Sequence, residues 1–103
     1  MRHASVRLSE EALSDLEDIF FLLIDNGADV AVGLRYLGRI RQRCAKIGDA
    51  PQGYPLKPRL GPGIRLVPFE RSATIVYRLS GGDVEIVRVL YGGRDYENPD
   101  LFG

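Results

Sequence analysis

Reactive side chains are scarce in this 103-residue sequence, and the scarcity narrows the chemistry at once. One histidine, His3, and one cysteine, Cys44, cannot supply the ligands of a usual zinc site. A histidine-dependent triad is not expected, because His3 stands at the chain end. No metal and no cofactor are expected. Arginine and tyrosine remain. Arg35, Arg39 and Arg43 step by four along the chain, with Lys46 on the same helical face. Such a row is either a solvated face, paired with an acidic neighbouring helix, or a surface for an acidic partner. Arg88 alternates with Val87 and Val89 and has Glu85 and Asp83 nearby as pairing acids. Arg94-Asp95 follows Gly92-Gly93 and either orders the tail as an ion pair or meets a target. Tyr91 and Tyr96 flank that stretch, whereas Tyr36 and Tyr54 read as packing residues. Cys44 falls on an apolar stripe and reads as an inert core thiol.

The elements that position these residues follow from periodicity. Val6 and Leu8 alternate with Ser5 and Arg7, as in a strand with one buried face. Ser9 offers an N-cap, and Glu10 and Glu11 place negative charge in the first helical turn. Leu13, Leu16, Ile19, Phe20, Leu23 and Ile24 then define a helical stripe, with Glu11, Asp15, Asp18 and Asp25 mostly opposite. Gly27 suits a left-handed helix end. A second helix begins near Asp29, with Val30, Leu34, Leu37, Ile40, Cys44 and Ile47 as its stripe and Gly48 as its stop. The short connection implies an antiparallel helical hairpin.

Residues 49–63 hold four of the six prolines and read as a loop. Three strands are expected after it, near 64–69, 73–79 and 84–91. Pro68 places the first at an edge or bulge. Strict alternation in the last puts Val84, Ile86, Arg88 and Leu90 on one face, with apolar residues on both, so it reads as a central strand. Ser80-Gly81-Gly82-Asp83 is a hairpin signal. The expected fold class is α+β: an N-terminal strand, an α-helical hairpin and a three-stranded antiparallel meander, with the first strand joining the sheet. Length implies a single domain over 1–103. One cysteine excludes an intramolecular disulfide and fits a reducing cytoplasm. The longest apolar run, Ile19 to Ile24, is six residues, far below the roughly 20 needed to cross a bilayer, so no membrane association is expected.

Fourteen basic and fourteen acidic residues cancel, but not locally. Residues 1–30 carry a net −5, residues 31–71 a net +7 and residues 72–103 a net −2. A basic centre between acidic ends can steer an acidic partner while bulk charge stays low. Overall neutrality argues only against tight binding to naked DNA.

The run from Val84 through Arg88-Val89-Leu90 to Tyr91-Gly92-Gly93-Arg94-Asp95 closely resembles the end of ParE-type toxins of the ParE/RelE superfamily. Ala12, Asp15, Leu16, Ile19 and Phe20 resemble that family's first helix. Ile47, Pro51 and Gly53 resemble the segment after its second, and Pro62-Gly63-Ile64-Arg65 and Ile75-Val76-Tyr77-Arg78 its central strands. The resemblance runs through nearly the whole chain in order. It implies a RelE/ParE-like fold and the toxin half of a type II toxin–antitoxin pair, a small cytoplasmic protein without a cofactor. ParE members poison DNA gyrase and are neutralised by a ParD-like antitoxin. RelE members cut mRNA on the ribosome.

Cutting RNA requires cations around the scissile phosphate and groups that move the 2′-hydroxyl proton. The RelE comparison would assign that work to Arg65 and Arg94, with Tyr91 and Tyr96 as proton-handling candidates. Several expected cations are missing: Thr74, Gly63 and Gly93 stand at such positions, and Tyr91 replaces the usual histidine. A non-enzymatic gyrase poison is therefore the preferred expectation, with an endoribonuclease or a non-toxic antitoxin-binding relative as alternatives. Target contact is expected at Lys57, Arg59, Arg65, Arg88, Tyr91, Arg94 and Asp95. Antitoxin contact is expected at Leu66, Val67 and Phe69, which should expose apolar surface in the free protein, and at Arg35 and Arg39. ParD-type antitoxins usually dimerise, which implies a heterotetramer or larger assembly.

Overall fold

A computed structural model describes residues 3–92. The helix ends follow local chemistry. The Ser9 hydroxyl accepts from the Ala12 N–H at 3.0 Å and starts α1, Glu10–Asp25. Gly27 leaves it at φ +103°, a conformation that side-chain-bearing residues rarely adopt. The Asp29 carboxylate accepts from Val32 N–H at 2.9 Å and starts α2, Val30–Ile47. The position that follows α2 must be glycine for a steric reason, since a Cβ on Gly48 would lie 2.4 Å from the Ala4 carbonyl oxygen. That closeness lets the Ala4 N–H donate to the Gly48 carbonyl at 2.9 Å and ties the start of the chain to the end of α2.

The strands are β1, Val6–Leu8; β2, Arg65–Phe69; β3, Ala73–Ser80; and β4, Asp83–Tyr91. They form one mixed sheet in the order β1-β4-β3-β2, giving the α+β arrangement expected from the sequence. β1 runs parallel to β4, and the other pairs are antiparallel. β4 is thus an interior strand, as its two apolar faces imply. β2, which carries Pro68, lies at an edge, where a residue without an N–H costs no ladder bond.

Both helices pack on one sheet face. Their main core joins Ala12, Leu16 and Ile19 of α1 to Tyr36, Ile40 and Cys44 of α2 and to Ile75, Tyr77 and Ile86 of the sheet. Burial pushes the Cys44 thiol up to about 11, so it stays protonated at neutral pH. Leu13, Val30 and Leu34, expected on the apolar stripes, are instead about half exposed at 45%, 57% and 57%. Asp15, expected opposite the stripe, is buried. It stands three residues after Ala12 and four before Ile19, squarely on the inward face.

The opposite sheet face is covered by the proline-rich loop. Leu60, in a 3-10 turn over Pro58–Leu60, and Ile64 pack with Val76 and Leu90. The Tyr77 hydroxyl donates to the Pro51 carbonyl at 2.7 Å and fastens the loop's start to the sheet.

Strict alternation fails in β4. Val76 lies opposite Arg88, but the next residue, Tyr77, lies opposite Ile86, so Val87 is an extra residue in a β-bulge. Val84 and Ile86 therefore join Val89 in the main core, while Leu90 joins the loop-side cluster. The single face expected for Val84, Ile86, Arg88 and Leu90 is not formed.

Candidate functional site

β1 ends opposite Ile86, and beyond that point β4 would have an unpaired edge. The start of α1 closes it. Ser9 donates its N–H to the Ile86 carbonyl at 2.9 Å and its hydroxyl to the Val87 carbonyl at 2.9 Å. The Asp15 carboxylate accepts the Val89 N–H at 2.8 Å. Arg88 then grips the same carboxylate in bidentate fashion, Nε to Oδ2 at 2.8 Å and a terminal nitrogen to Oδ1 at 2.9 Å. Donation to the Asp15 carboxylate holds the Arg88 guanidinium above its ordinary range. Arg88, expected to meet a target or to pair with Glu85 or Asp83, is bound to Asp15 of α1. Glu85 pairs with Arg78 at 2.9 Å.

The other expected target cations are dispersed. Arg65 lies opposite Tyr77, in the same strand alternation as Val67 and Phe69, and so belongs to the helix face. Its guanidinium donates to the Tyr54 carbonyl and, at 3.5 Å, to that of Gln52. Lys57 and Arg59 line a cavity of about 610 Å³ together with Leu56, Leu66, Pro68 and Thr74. Tyr91 is half-buried, with its ring edge-on to Tyr36 at 5.8 Å. The described residues thus bring Lys57 and Arg59 together in one cavity wall, which Arg65, Arg88 and Tyr91 do not line. Arg94, Asp95 and Tyr96 lie outside the described residues.

The row on α2 pairs with the β2–β3 turn, not with the acidic first helix. Arg39 makes two bonds to Glu70, at 2.7 and 3.0 Å, and lies 5.4 Å from the centre of the Tyr36 ring. The pair holds the Glu70 carboxyl below its ordinary range and the Arg39 guanidinium above its own. Glu70 and Arg71 adopt left-handed backbone angles, φ 49° and 58°, which are disfavoured with a side chain. Arg43 reaches the Tyr54 hydroxyl at 3.4 Å and the Pro68 carbonyl at 3.5 Å. Arg39, Arg43 and Lys46 also line a second cavity, of about 370 Å³, beside Phe69 and Glu70. Arg35 is exposed.

Of the apolar residues expected to meet a partner, Val67 and Phe69 are buried in the main core, because their strand face is the one the helices cover. They expose no apolar surface in the free chain. Leu66 points the other way and is half-buried beside the larger cavity. Exposed apolar side chains occur instead on the hairpin, with Phe21 at 59% and Leu22 at 43% joining Val30 and Leu34. The helical spacing carries a signal for this, since Phe21 and Leu22 fall outside the stripe of Leu16, Ile19 and Leu23.

Among the described residues no three His, Cys, Asp or Glu side chains are grouped to hold a metal ion, and no helix is long and apolar enough to cross a membrane. The family model for the ParE toxin of the type II toxin–antitoxin system parDE matches residues 6–96. No curated protein matches the chain. Among solved structures, the chain resembles one of the chromosomal ParDE toxin–antitoxin system of P. aeruginosa, with a TM-score of 0.75 at 19% identity. That likeness covers 87% of this chain and 97% of the other. It also resembles a chain of the RelBE2 toxin–antitoxin complex of Mycobacterium tuberculosis, with a TM-score of 0.62 at 20% identity, covering 88% and 99%.

Proposed function

This chain belongs to the ParE toxin family of type II toxin–antitoxin systems, and we propose that it is a non-enzymatic poison of DNA gyrase, held inactive in the cytoplasm by a ParD-like antitoxin. The observation that carries the non-enzymatic reading is the dispersal of the groups an RNA-cutting site would need. Arg65 is engaged with loop carbonyls on the helix face, whereas Thr74 lines a cavity on the other. Tyr91 packs edge-on against Tyr36. General acid–base work on a 2′-hydroxyl needs cations and a proton carrier converging within about 3 Å of one another's targets. The described residues offer no such convergence.

A protein partner is supported by the apolar side chains exposed on the hairpin, Phe21, Leu22, Val30 and Leu34, clustered near one end of it. A dimeric antitoxin would make a heterotetramer or larger assembly. Lys57 and Arg59 are the described cations best placed to meet the target, since they share one cavity wall.

The decisive experiment sets purified protein against two targets. Micromolar protein should block gyrase supercoiling and leave ribosome-bound mRNA intact, and added antitoxin should restore supercoiling. Cut mRNA with untouched gyrase would overturn the proposal in favour of a ribosome-dependent endoribonuclease. Activity on neither, with antitoxin bound, would identify a non-toxic relative.

A further inference from the structure

The turn between β2 and β3 is closed by the Ser72 N–H, which donates to the Phe69 carbonyl at 3.0 Å. Both of its central residues, Glu70 at φ 49° and Arg71 at φ 58°, have left-handed backbones. A hairpin turn with two such positions is ordinarily made by Asn-Gly or Asp-Gly, which adopt that backbone readily. A long side chain at each position carries strain. Strain of this kind persists only where the surroundings over-determine the backbone.

Here the surroundings do so. Before the turn, Phe69 is buried in the main core with its ring edge-on to Tyr36 at 5.7 Å. Glu70 is gripped twice by Arg39, at 2.7 and 3.0 Å. After the turn, the Ser72 hydroxyl lies 2.6 Å from the Tyr36 hydroxyl, and the Ser72 carbonyl accepts the Gly92 N–H at 2.8 Å. The chain is therefore fastened to α2 on both sides of Arg71, and to the end of β4 as well. Arg71 itself is exposed and has no hydrogen bond or ion pair among the described residues. Arg39 and Glu70 neutralise one another, so the charge left at the turn is that of Arg71. None of the fastenings uses its side chain, and a glycine would take the same backbone without strain. The Arg71 side chain thus weakens the fold slightly and makes no contact within the described residues.

We infer that Arg71 is a preset target-contact residue: the fastened turn holds its guanidinium outward to enter an acidic recess on a protein, where it meets a carboxylate in bidentate fashion. A rigid backbone avoids the ordering that a flexible loop undergoes on binding. Arginine is also among the residues that most often dominate such interfaces, and its planar fork matches a carboxylate. A nucleic-acid backbone is the less suitable occupant. It brings one negative charge for about every 1.7 Å of duplex, and the Glu70 carboxylate stands next to Arg71 in the same turn. Under the reading given above the protein is gyrase, and the inference rests on that reading. Nothing in the residue order marks Arg71 for this role. A charged residue in a short turn is ordinary until its backbone angles and its neighbours' fastenings are known.

The test titrates DNA-free gyrase into fluorescently labelled full-length protein and, separately, the same protein into a short labelled DNA duplex. R71G relieves the backbone, and R71K keeps the charge but loses the fork. R41A removes an exposed cation from a side of α2 other than that of Arg39 and Arg43, and serves as the control. Thermal melts accompany every titration. R71G should melt no lower than the wild type and bind gyrase weaker by about tenfold or more. R71K should melt as the wild type does and show an intermediate loss, because a point charge replaces a bidentate grip. R41A should bind within about twofold of the wild type. R71G that binds gyrase as tightly as the wild type overturns the inference and leaves gyrase standing as the target. A binding loss accompanied by a lower melting temperature also overturns it, since the side chain then serves the fold. Failure of the wild type to bind gyrase overturns the reading of the target, and the inference with it. Duplex binding that R71G abolishes, with gyrase binding intact, reassigns Arg71 to nucleic acid and overturns the inference as well.

Discussion

The two faces of the sheet are built on different terms. On the helix side, apolar side chains from both helices and the sheet close over one another. Asp15, the single buried carboxylate among the described residues, has each oxygen engaged there. On the loop side, four buried residues suffice, Leu60, Ile64, Val76 and Leu90. The loop's start is tied to residues of the helix face, by Tyr77 to Pro51 and by Arg65 to Tyr54. The first face invests its residues in cohesion. The second leaves cations and cavities at its margin. This contrast separates stability from recognition: a change on one side should move melting behaviour, and a change on the other should move binding.

The largest expected effect tests the helix side. D15A leaves Arg88, whose side chain is 17% exposed, without the carboxylate that grips it and the Val89 N–H without an acceptor. Losing one member of such a buried pair costs about 3–5 kcal/mol. Urea denaturation should show it, and the double variant D15L/R88M should recover most of the loss, because an apolar pair strands no charge. Next in size is the core itself. I40A, at a fully buried position, should cost about 2–5 kcal/mol by the same measurement. L60A, in the smaller cluster, should fall at the lower end of that range. If L60A proves the more damaging, the comparison between the faces fails. On the exposed margin, L56S should change stability by no more than about 0.5 kcal/mol in the same denaturation experiment.

The smallest effect concerns acid. Arg39 holds the Glu70 carboxyl below its ordinary value of 4.5. The stabilisation from this pair is therefore fully present above that value and is lost as pH falls through the lower, folded-state one. Thermal melts of the wild type and E70Q should differ slightly at neutral pH and converge in acid. Because both side chains are well exposed, added salt should shrink the difference too.

Much of the architecture was legible in the sequence because it is written in local terms. Ser9 and Asp29 announce their helices as caps, Gly27 its turn, and Pro68 its edge. Long-range pairing was not legible. Arg88 had two acids close by in sequence, and nothing local says that it reaches across to Asp15. Burial of Asp15 could have been inferred from its spacing to Ala12 and Ile19, but a carboxylate on an inward face contradicts its charge until a partner is known. Val67 and Phe69 read as an apolar edge available to a partner. Which face the helices occupy depends on the hairpin's path, not on strand composition. For Lys57 and Arg59, the sequence carries the charge but no sign of the cavity they share with Leu66 and Thr74.

The extra residue at Val87 has an arithmetic consequence. A strand counts in twos, so one added residue changes the parity of everything after it. Before the bulge the even-numbered Val84 and Ile86 face the helices; after it the odd-numbered Val89 takes that role. The insertion lets a single strand write two messages in opposite phase, and the Asp15–Arg88 clasp sits at the point where the phase changes. Were Val87 kept but paired in plain alternation, Val89 and Leu90 would exchange faces and the last third of β4 would spell the wrong surface on each side. Deleting Val87 would instead restore a regular ladder and leave Arg88, Val89 and Leu90 opposite Val76, Ile75 and Thr74.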